Sequence, residues 1–106
     1  MPTITFSLKD LQNLVGKKLT IEEVSSLVEY GKGSFEGYTK EEDEVSIEFG
    51  DTNLPYLWSV EGVARLFKGI LALQKGIPKI EIKKGDYKVI VDKSVTPIRP
   101  YIAAFV

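Results

Sequence analysis

The sequence predicts an α+β domain: a small helical core of three main helices with short antiparallel strands and hairpins. Three observations predict it. Two short apolar stripes at helical spacing each open on a capping residue, Ser7 and Thr20. Val45, Ile47 and Phe49 alternate with Ser46 and Glu48, the period of a strand with one wet face. A longer stretch, roughly Trp58 to Lys75, carries apolar residues at helical spacing on two faces.

Taken in order, Thr3-Ile4-Thr5-Phe6 reads as a short strand. Ser7 and Asp10 then stand at the two ends of a capping box, flanked by Phe6 and Leu11 at staple positions. Leu8, Leu11, Leu14 and Val15 make the helical stripe, and Gly16 stops it. Thr20 and Glu23 repeat the box, with Leu19 and Val24 as the staple and Val24, Leu27 and Val28 as the buried face. Gly31 and Gly33 close that helix. A hairpin is expected next, from Phe35 and Tyr38 through a polar tip at Lys40-Glu41-Glu42-Asp43 to the Val45–Phe49 strand.

The third helix is expected to end at Gly76, with Pro78 beyond it. Val60, Val63, Ala64, Phe67 and Leu71 form one stripe, and Leu66, Ile70 and Leu73 form a second, rotated from the first. A helix apolar on two sides is usually covered on two sides, so Leu66, Ile70 and Leu73 are candidate contacts to a neighbouring domain or subunit. Past it the chain reads as β: Ile80 and Ile82 alternate within 79–83, Gly85-Asp86 signals a turn, and Tyr87, Val89 and Val91 alternate after it. Tyr101–Val106 is a last apolar strand with no polar exit. Tyr101, Ile102 and Phe105 join the candidate partner contacts, and the chain is expected to have been cut from a longer protein. The expected division is a helical and β-hairpin domain over 1–78 and a β segment over 79–106.

Composition narrows the chemistry. The 106 residues contain no Cys and no His. Thiolate and Ser–His–Asp catalysis are therefore excluded, as are Cys- and His-ligated metal sites. No apolar run is long enough to span a bilayer and no secretion signal opens the chain, so no membrane partner and a cytoplasmic setting are expected. The net charge of −1 hides a split. Residues 1–53 hold 5 basic and 11 acidic side chains, residues 54–106 hold 9 and 4.

Several candidate sites are weighed and most dissolve. Glu41, Glu42, Asp43 and Glu44 could attract a divalent cation, but a hairpin tip needs solvated charge and the spacing is not that of a calcium loop. The second helix carries Glu22, Glu23 and Glu29 with no Lys or Arg, so it would be repelled from a nucleic-acid groove. There is no phosphate-binding glycine loop, so the chain itself is expected to hold no cofactor. Lys79, Lys83, Lys84 and Lys88 lie among six lysines between 75 and 93 and could track a phosphate backbone, which keeps a stand-alone nucleic-acid-binding module, such as a tRNA binder, open as an alternative. No residue is expected to be catalytic.

The richest stretch is Asp51 to Arg65. Turn formers at Asp51, Thr52, Asn53 and Pro55 leave the strand, Trp58 is the only tryptophan, Ser59 can cap, and Gly62, Ala64 and Arg65 lie in the helix that follows. Asp51, Thr52, Asn53, Pro55, Leu57, Trp58, Ser59, Glu61, Gly62, Ala64 and Arg65 resemble the signature near the N-terminus of the phenylalanyl-tRNA synthetase beta subunit of archaeal and eukaryotic type. Gly76-Ile77-Pro78-Lys79 and Arg99-Pro100-Tyr101 extend the resemblance over nearly the whole chain. Leu54 and Tyr56 depart from it, standing where that family usually has Arg and Asp, as though one polar contact had been replaced as a unit. A diverged beta-subunit paralogue is the other alternative.

The resemblance implies a first domain related to winged-helix-like, nucleic-acid-binding folds, with an editing region beginning near Arg99. It implies a heterotetramer of two alpha and two beta subunits that charges tRNA with phenylalanine using ATP and magnesium, with catalysis outside this segment. The implied partners are the remainder of the beta subunit and the alpha subunit, with tRNA met through the full enzyme, and the implied role here is architectural.

Overall fold

The computed structural model describes residues 2–99. Their regular part is a three-stranded antiparallel sheet, in the order β1-β3-β2, with three helices packed on one of its faces. The α+β class expected from sequence is what the chain adopts.

Strand β1 (Thr3–Ser7) leads directly into helix α1 (Leu8–Val15). Ser7 is the N-cap, its hydroxyl accepting from the Asp10 N–H at 3.1 Å, and Gly16 ends the helix at φ 80°. Helix α2 (Ile21–Val28) opens on the complete capping box: Glu23 N–H donates to Thr20 Oγ1 at 3.2 Å, and Thr20 N–H donates to Glu23 Oε2 at 2.8 Å. A single 3-10 turn over Glu29–Gly31 carries the chain to Lys32, whose φ of 55° turns it into the sheet.

Strands β2 (Gly33–Thr39) and β3 (Glu44–Phe49) form the expected hairpin, with one extra residue between Phe35 and Gly37. Such a bulge bends and twists the strand locally. β3 is central, pairing with β1 as well as β2, so Phe6 lies opposite Val45 and Ile4 opposite Ile47. Val45, Ile47 and Phe49 are buried, while Ser46 and Glu48 occupy the other face of the sheet, half-exposed.

Helix α3 is shorter than expected. It runs Val60–Ile70, not Trp58–Lys75. Ser59 is extended and caps it, so Trp58 falls outside, at the end of a 3-10 turn over Pro55–Leu57. At the other end Ala72 adopts φ 56°, with Ala72 N–H bonded to Gly69 O at 3.1 Å and Leu73 N–H to Lys68 O at 2.9 Å. Those two bonds make a Schellman stop. Apolar spacing continued past Leu71, but the backbone does not.

The core joins Leu8, Leu11, Val15, Leu19, Val24, Leu27 and Val28 to the β3 residues and to Leu57, Val63, Ala64 and Phe67. Each large side chain fully buried here contributes about 1.5–3 kcal/mol.

Residues 79–83 and 87–92 are not strands, against expectation. A strand needs a hydrogen-bonded neighbour, and neither edge of the sheet meets this segment. A bend does fall at Asp86, and bonds from Val95, Thr96 and Ile98 make successive turns over 92–98. The radius of gyration is 17.1 Å, against about 13 Å for a compact chain of this length, because the segment after α3 adds little to the core. The strand expected at Tyr101–Val106 lies outside the described residues.

Candidate interaction surfaces and the junction that builds them

The Asp51–Arg65 junction is a packing device. Leu57 is buried and anchors the 3-10 turn, and Leu54 packs partly buried against the core. Ser59 Oγ accepts from the Gly62 N–H at 3.3 Å. A Cβ at Gly62 would sit 1.5 Å from the Tyr56 carbonyl oxygen, so only glycine allows the turn to close onto α3. Asp51 pairs with Lys32 at 2.8 Å and ties the junction to the start of β2. The Asp51 hydrogen bond raises the Lys32 pKa. Leu54 uses its apolar side chain inward, which accounts physically for an apolar residue there. Tyr56 is exposed and contributes its backbone.

The acidic hairpin tip is not wholly solvated. Asp43 takes φ 52°, a conformation that Asp adopts more readily than most residues, and turns toward α1. Its Oδ2 accepts from Ser7 Oγ at 2.5 Å and from the Lys9 N–H at 3.0 Å, and its backbone carbonyl accepts from the Leu8 N–H at 3.1 Å. Tyr38 donates its hydroxyl to Oδ1 at 3.2 Å. Together Ser7 and Asp43 satisfy the first three free N–H groups of α1 and place a negative charge at its N-terminus. The Ser7 hydroxyl and the Lys9 N–H hold the Asp43 carboxyl below the usual carboxylate range. Partial burial, then Asp43, pushes the Tyr38 phenol up. The sequence reading missed this clasp; the signal for it was an aspartate among glutamates at a turn.

The predicted partner stripe on α3 divides. Leu66 is more internal than expected: a Cβ on Gly31 would lie 3.0 Å from Leu66 Cδ2 and 3.3 Å from Leu57 Cδ1, so these side chains close over that glycine. Ile70 is half-buried and forms one wall of an open groove of about 380 Å³, lined also by Glu22, Glu23, Ser26, Leu27, Tyr30 and Leu71. A second hollow continues it past Ser26, Glu29 and Tyr30. Leu73 lies beyond the helix stop and is 52% exposed. Tyr101, Ile102 and Phe105 lie outside the described residues.

Lys79, Lys83, Lys84 and Lys88 are all exposed. Lys83 lies 3.8 Å from Glu81, which offsets one of the four charges. Among the described residues no group of three or more Asp or Glu converges as a metal site, and no helix is long and apolar enough to cross a membrane.

Comparison with known proteins places this arrangement. The chain is 43% identical over 103 residues to the phenylalanine–tRNA ligase beta subunit of Pyrococcus horikoshii and 43% identical to that of Thermococcus kodakarensis, 95% of this chain aligning in each case. The Methanosphaera stadtmanae subunit is 38% identical over 97% of the chain. The fold superposes with a TM-score of 0.76 on the crystal structure of an N-terminal fragment of the Pyrococcus horikoshii phenylalanyl-tRNA synthetase beta subunit, at 41% identity. Over nearly its whole length the chain is similar to part of phenylalanine–tRNA ligase beta subunits, and its fold is that of the N-terminal fragment. It spans 18% of the length of those relatives and 29% of the fragment, while the match covers 94% of this chain. No model of a known protein family matches it. The beta-subunit likeness extends past α3, so the exposed segment after Leu73 is part of what is shared.

Proposed function

We propose that this chain is the architectural first domain of a cytoplasmic phenylalanine–tRNA ligase beta subunit. Residues 1–78 form the domain, and 79–106 lead into the editing region. Its partners in this reading are the remaining beta-subunit domains, the alpha subunit of a heterotetramer and, through the assembled enzyme, tRNA. ATP and magnesium act elsewhere in that enzyme.

One observation carries the reading. Within the Asp51–Arg65 junction Leu57, Ser59, Gly62 and Ala64 are spent on internal packing and capping, and apolar residues are left bare beyond it at Leu73, Ile77, Ile80 and Ile82. A domain built to be covered has that distribution. Ile70 at the end of α3 and Leu73 just past its stop are the contacts proposed here, with Tyr101, Ile102 and Phe105 further along.

Reconstitution tests it. A Pyrococcus horikoshii beta subunit lacking its matching N-terminal segment is co-expressed with its alpha subunit and this chain. Recovery of assembly and aminoacylation, lost again with Ile70→Glu and Leu73→Glu together, is expected. Failure of the unsubstituted chain to associate, where the native segment supplied in trans succeeds, would overturn the proposal.

A further inference from the structure

We propose that residues 79–92 fold as an amphipathic β-hairpin that docks, apolar face inward, into the acidic-rimmed groove between α2 and α3 of a second copy of this chain. The reading does not rest on the enzyme assignment above, but it draws on the same residues, Ile70, Ile80 and Ile82, so the two occupants compete for them.

The hairpin follows from spacing. A two-residue loop at Gly85-Asp86 has glycine at its first central position, as a type II′ turn requires. That loop sets Lys84 opposite Tyr87, Ile82 opposite Val89 and Ile80 opposite Val91. Ile80, Ile82, Val89 and Val91 then share one face, with Lys84 and Tyr87 at its tip. The other face carries Lys79, Glu81, Lys83, Lys88 and Asp92, with Ile90 among them. The structure already has two parts of this: the bend at Asp86, and Glu81 and Lys83 on one side of the chain in a 3.8 Å ion pair. Its apolar face is unevenly covered, with Ile80 75% and Ile82 93% exposed against 47% at Val89 and 38% at Val91. A two-stranded hairpin alone is marginal in water, so it waits for a surface.

The groove offers one of matching chemistry. Leu27, Ile70 and Leu71 give it apolar walls, and Tyr30 stands 71% exposed beside them. Glu22, Glu23 and Glu29 rim the groove and its continuation, and no Lys or Arg lines either. Residues 79–92 carry four lysines against three acids, a net charge of +1, and Lys75 and Lys93 flank them. Opposite charge around apolar contact favours this pairing and disfavours tail against tail.

The docking is between copies because of where the tail leaves. After the Schellman stop at Ala72, Gln74 and Pro78 line a hollow with Leu14, Glu61, Ala64, Arg65 and Lys68. That hollow is on the α1 flank of α3, away from the α2 groove. Reciprocal exchange between two chains uses the same surfaces on both and closes as a two-fold dimer.

Sedimentation equilibrium of the 106-residue chain tests this. A dimer is expected at 0.1 M salt and should weaken at least about tenfold at 1 M, as the screening length falls from about 10 to about 3 Å. Two variants should each be monomeric: Glu22→Lys with Glu29→Lys in the groove, and Ile82→Ser with Val89→Ser in the tail. All four side chains are exposed, so their folding is checked by an unchanged melt. Mixed, the two variants should form a heterodimer, because one still supplies an intact tail and the other an intact groove. Three results would overturn the proposal: a wild-type monomer up to about 1 mM, where even a 4 kcal/mol interface would be half-formed; a dimer insensitive to the groove charges, which is tail-to-tail pairing; or a monomer with residues 79–92 protected from hydrogen exchange, which is docking within one chain.

Discussion

Gly62 gives the sharpest test of how the Asp51–Arg65 junction works. It lies in the first turn of α3, where alanine would ordinarily help: replacing glycine within a helix gains about 1 kcal/mol. Here the added Cβ would meet the Tyr56 carbonyl oxygen at 1.5 Å, and side-chain carbons are essentially never found closer than 3.0 Å to such a neighbour. The 3-10 turn over Pro55–Leu57 must therefore withdraw by about 1.5 Å, and Leu57, 2% exposed, must leave its seat with it. Overpacking of this kind costs about 1–3 kcal/mol, and a partly vacated leucine site adds to it, so a net loss of about 2 kcal/mol is expected after the helix gain. Gly69 supplies the control. It lies in the same helix with nothing within 4 Å of a new Cβ, so Gly69→Ala should stabilise by up to about 1 kcal/mol. The two variants should then differ by about 3 kcal/mol, on the order of 10–20 °C in melting temperature for a domain of this size. Thermal and urea melts followed by circular dichroism measure it. If Gly62→Ala melts with or above Gly69→Ala, the turn does not rest on that glycine and the packing account of the junction is wrong.

Two further predictions concern the clasp and the helix stop. The Asp43 pKa is lowered by its bonds from Ser7 and Lys9, so its stabilising share is complete above the ordinary value of 3.8 and is lost as pH falls through the lower folded value. In that acid range the unfolded chain binds more protons, stability rises with pH, and Asp43→Asn, which keeps the φ preference, should flatten the acid limb of a melting-temperature profile; an unchanged acid limb would refute the clasp. Ala72→Gly should stabilise by about 1 kcal/mol by relieving a left-handed alanine, whereas in a helix continuing to Lys75 the same change would cost about 1 kcal/mol, so the sign of the shift in the urea midpoint decides.

The parts legible in the sequence are those governed by contacts within a few residues. The Ser7 and Thr20 caps, the Gly16 stop and the β3 alternation are local chemistry and are found where the residues place them, although only the Thr20 box is completed by its reciprocal bond. The errors come where distant contacts or backbone geometry override spacing. Leu71 and Leu73 extend the apolar period of α3, but the Schellman bonds end it, and alanine at a left-handed position gives no warning in the sequence. The position of β1 beside β3 depends on pairing between residues 37 to 45 apart, which no local pattern reports. Residues 79–92 have the alternation of strands without a neighbour to complete them. The groove was only half legible: Ile70 was marked as a partner contact, but Tyr30 and the glutamates facing it come from another helix.

The division of labour along the chain follows from these same residues. Within Asp51–Arg65 five residues are occupied internally: a capping hydroxyl at Ser59, a close approach at Gly62, buried anchors at Leu57 and Ala64, and an ion pair from Asp51. Residues used in that way cannot also meet a partner. Recognition is left to groups the fold does not consume, among them Tyr30, Ile70 and Leu73, the glutamates beside them, the exposed Trp58, Glu61 and Arg65 of the junction, and the lysine-laced segment after α3. Substitutions in the first set should therefore lower the melting temperature and alter association only through unfolding. Substitutions in the second set should alter association with the melt unchanged. A charge reversal at Glu29 that lowered stability as much as Gly62→Ala would show that the surface is part of the core after all, and the separation would fail.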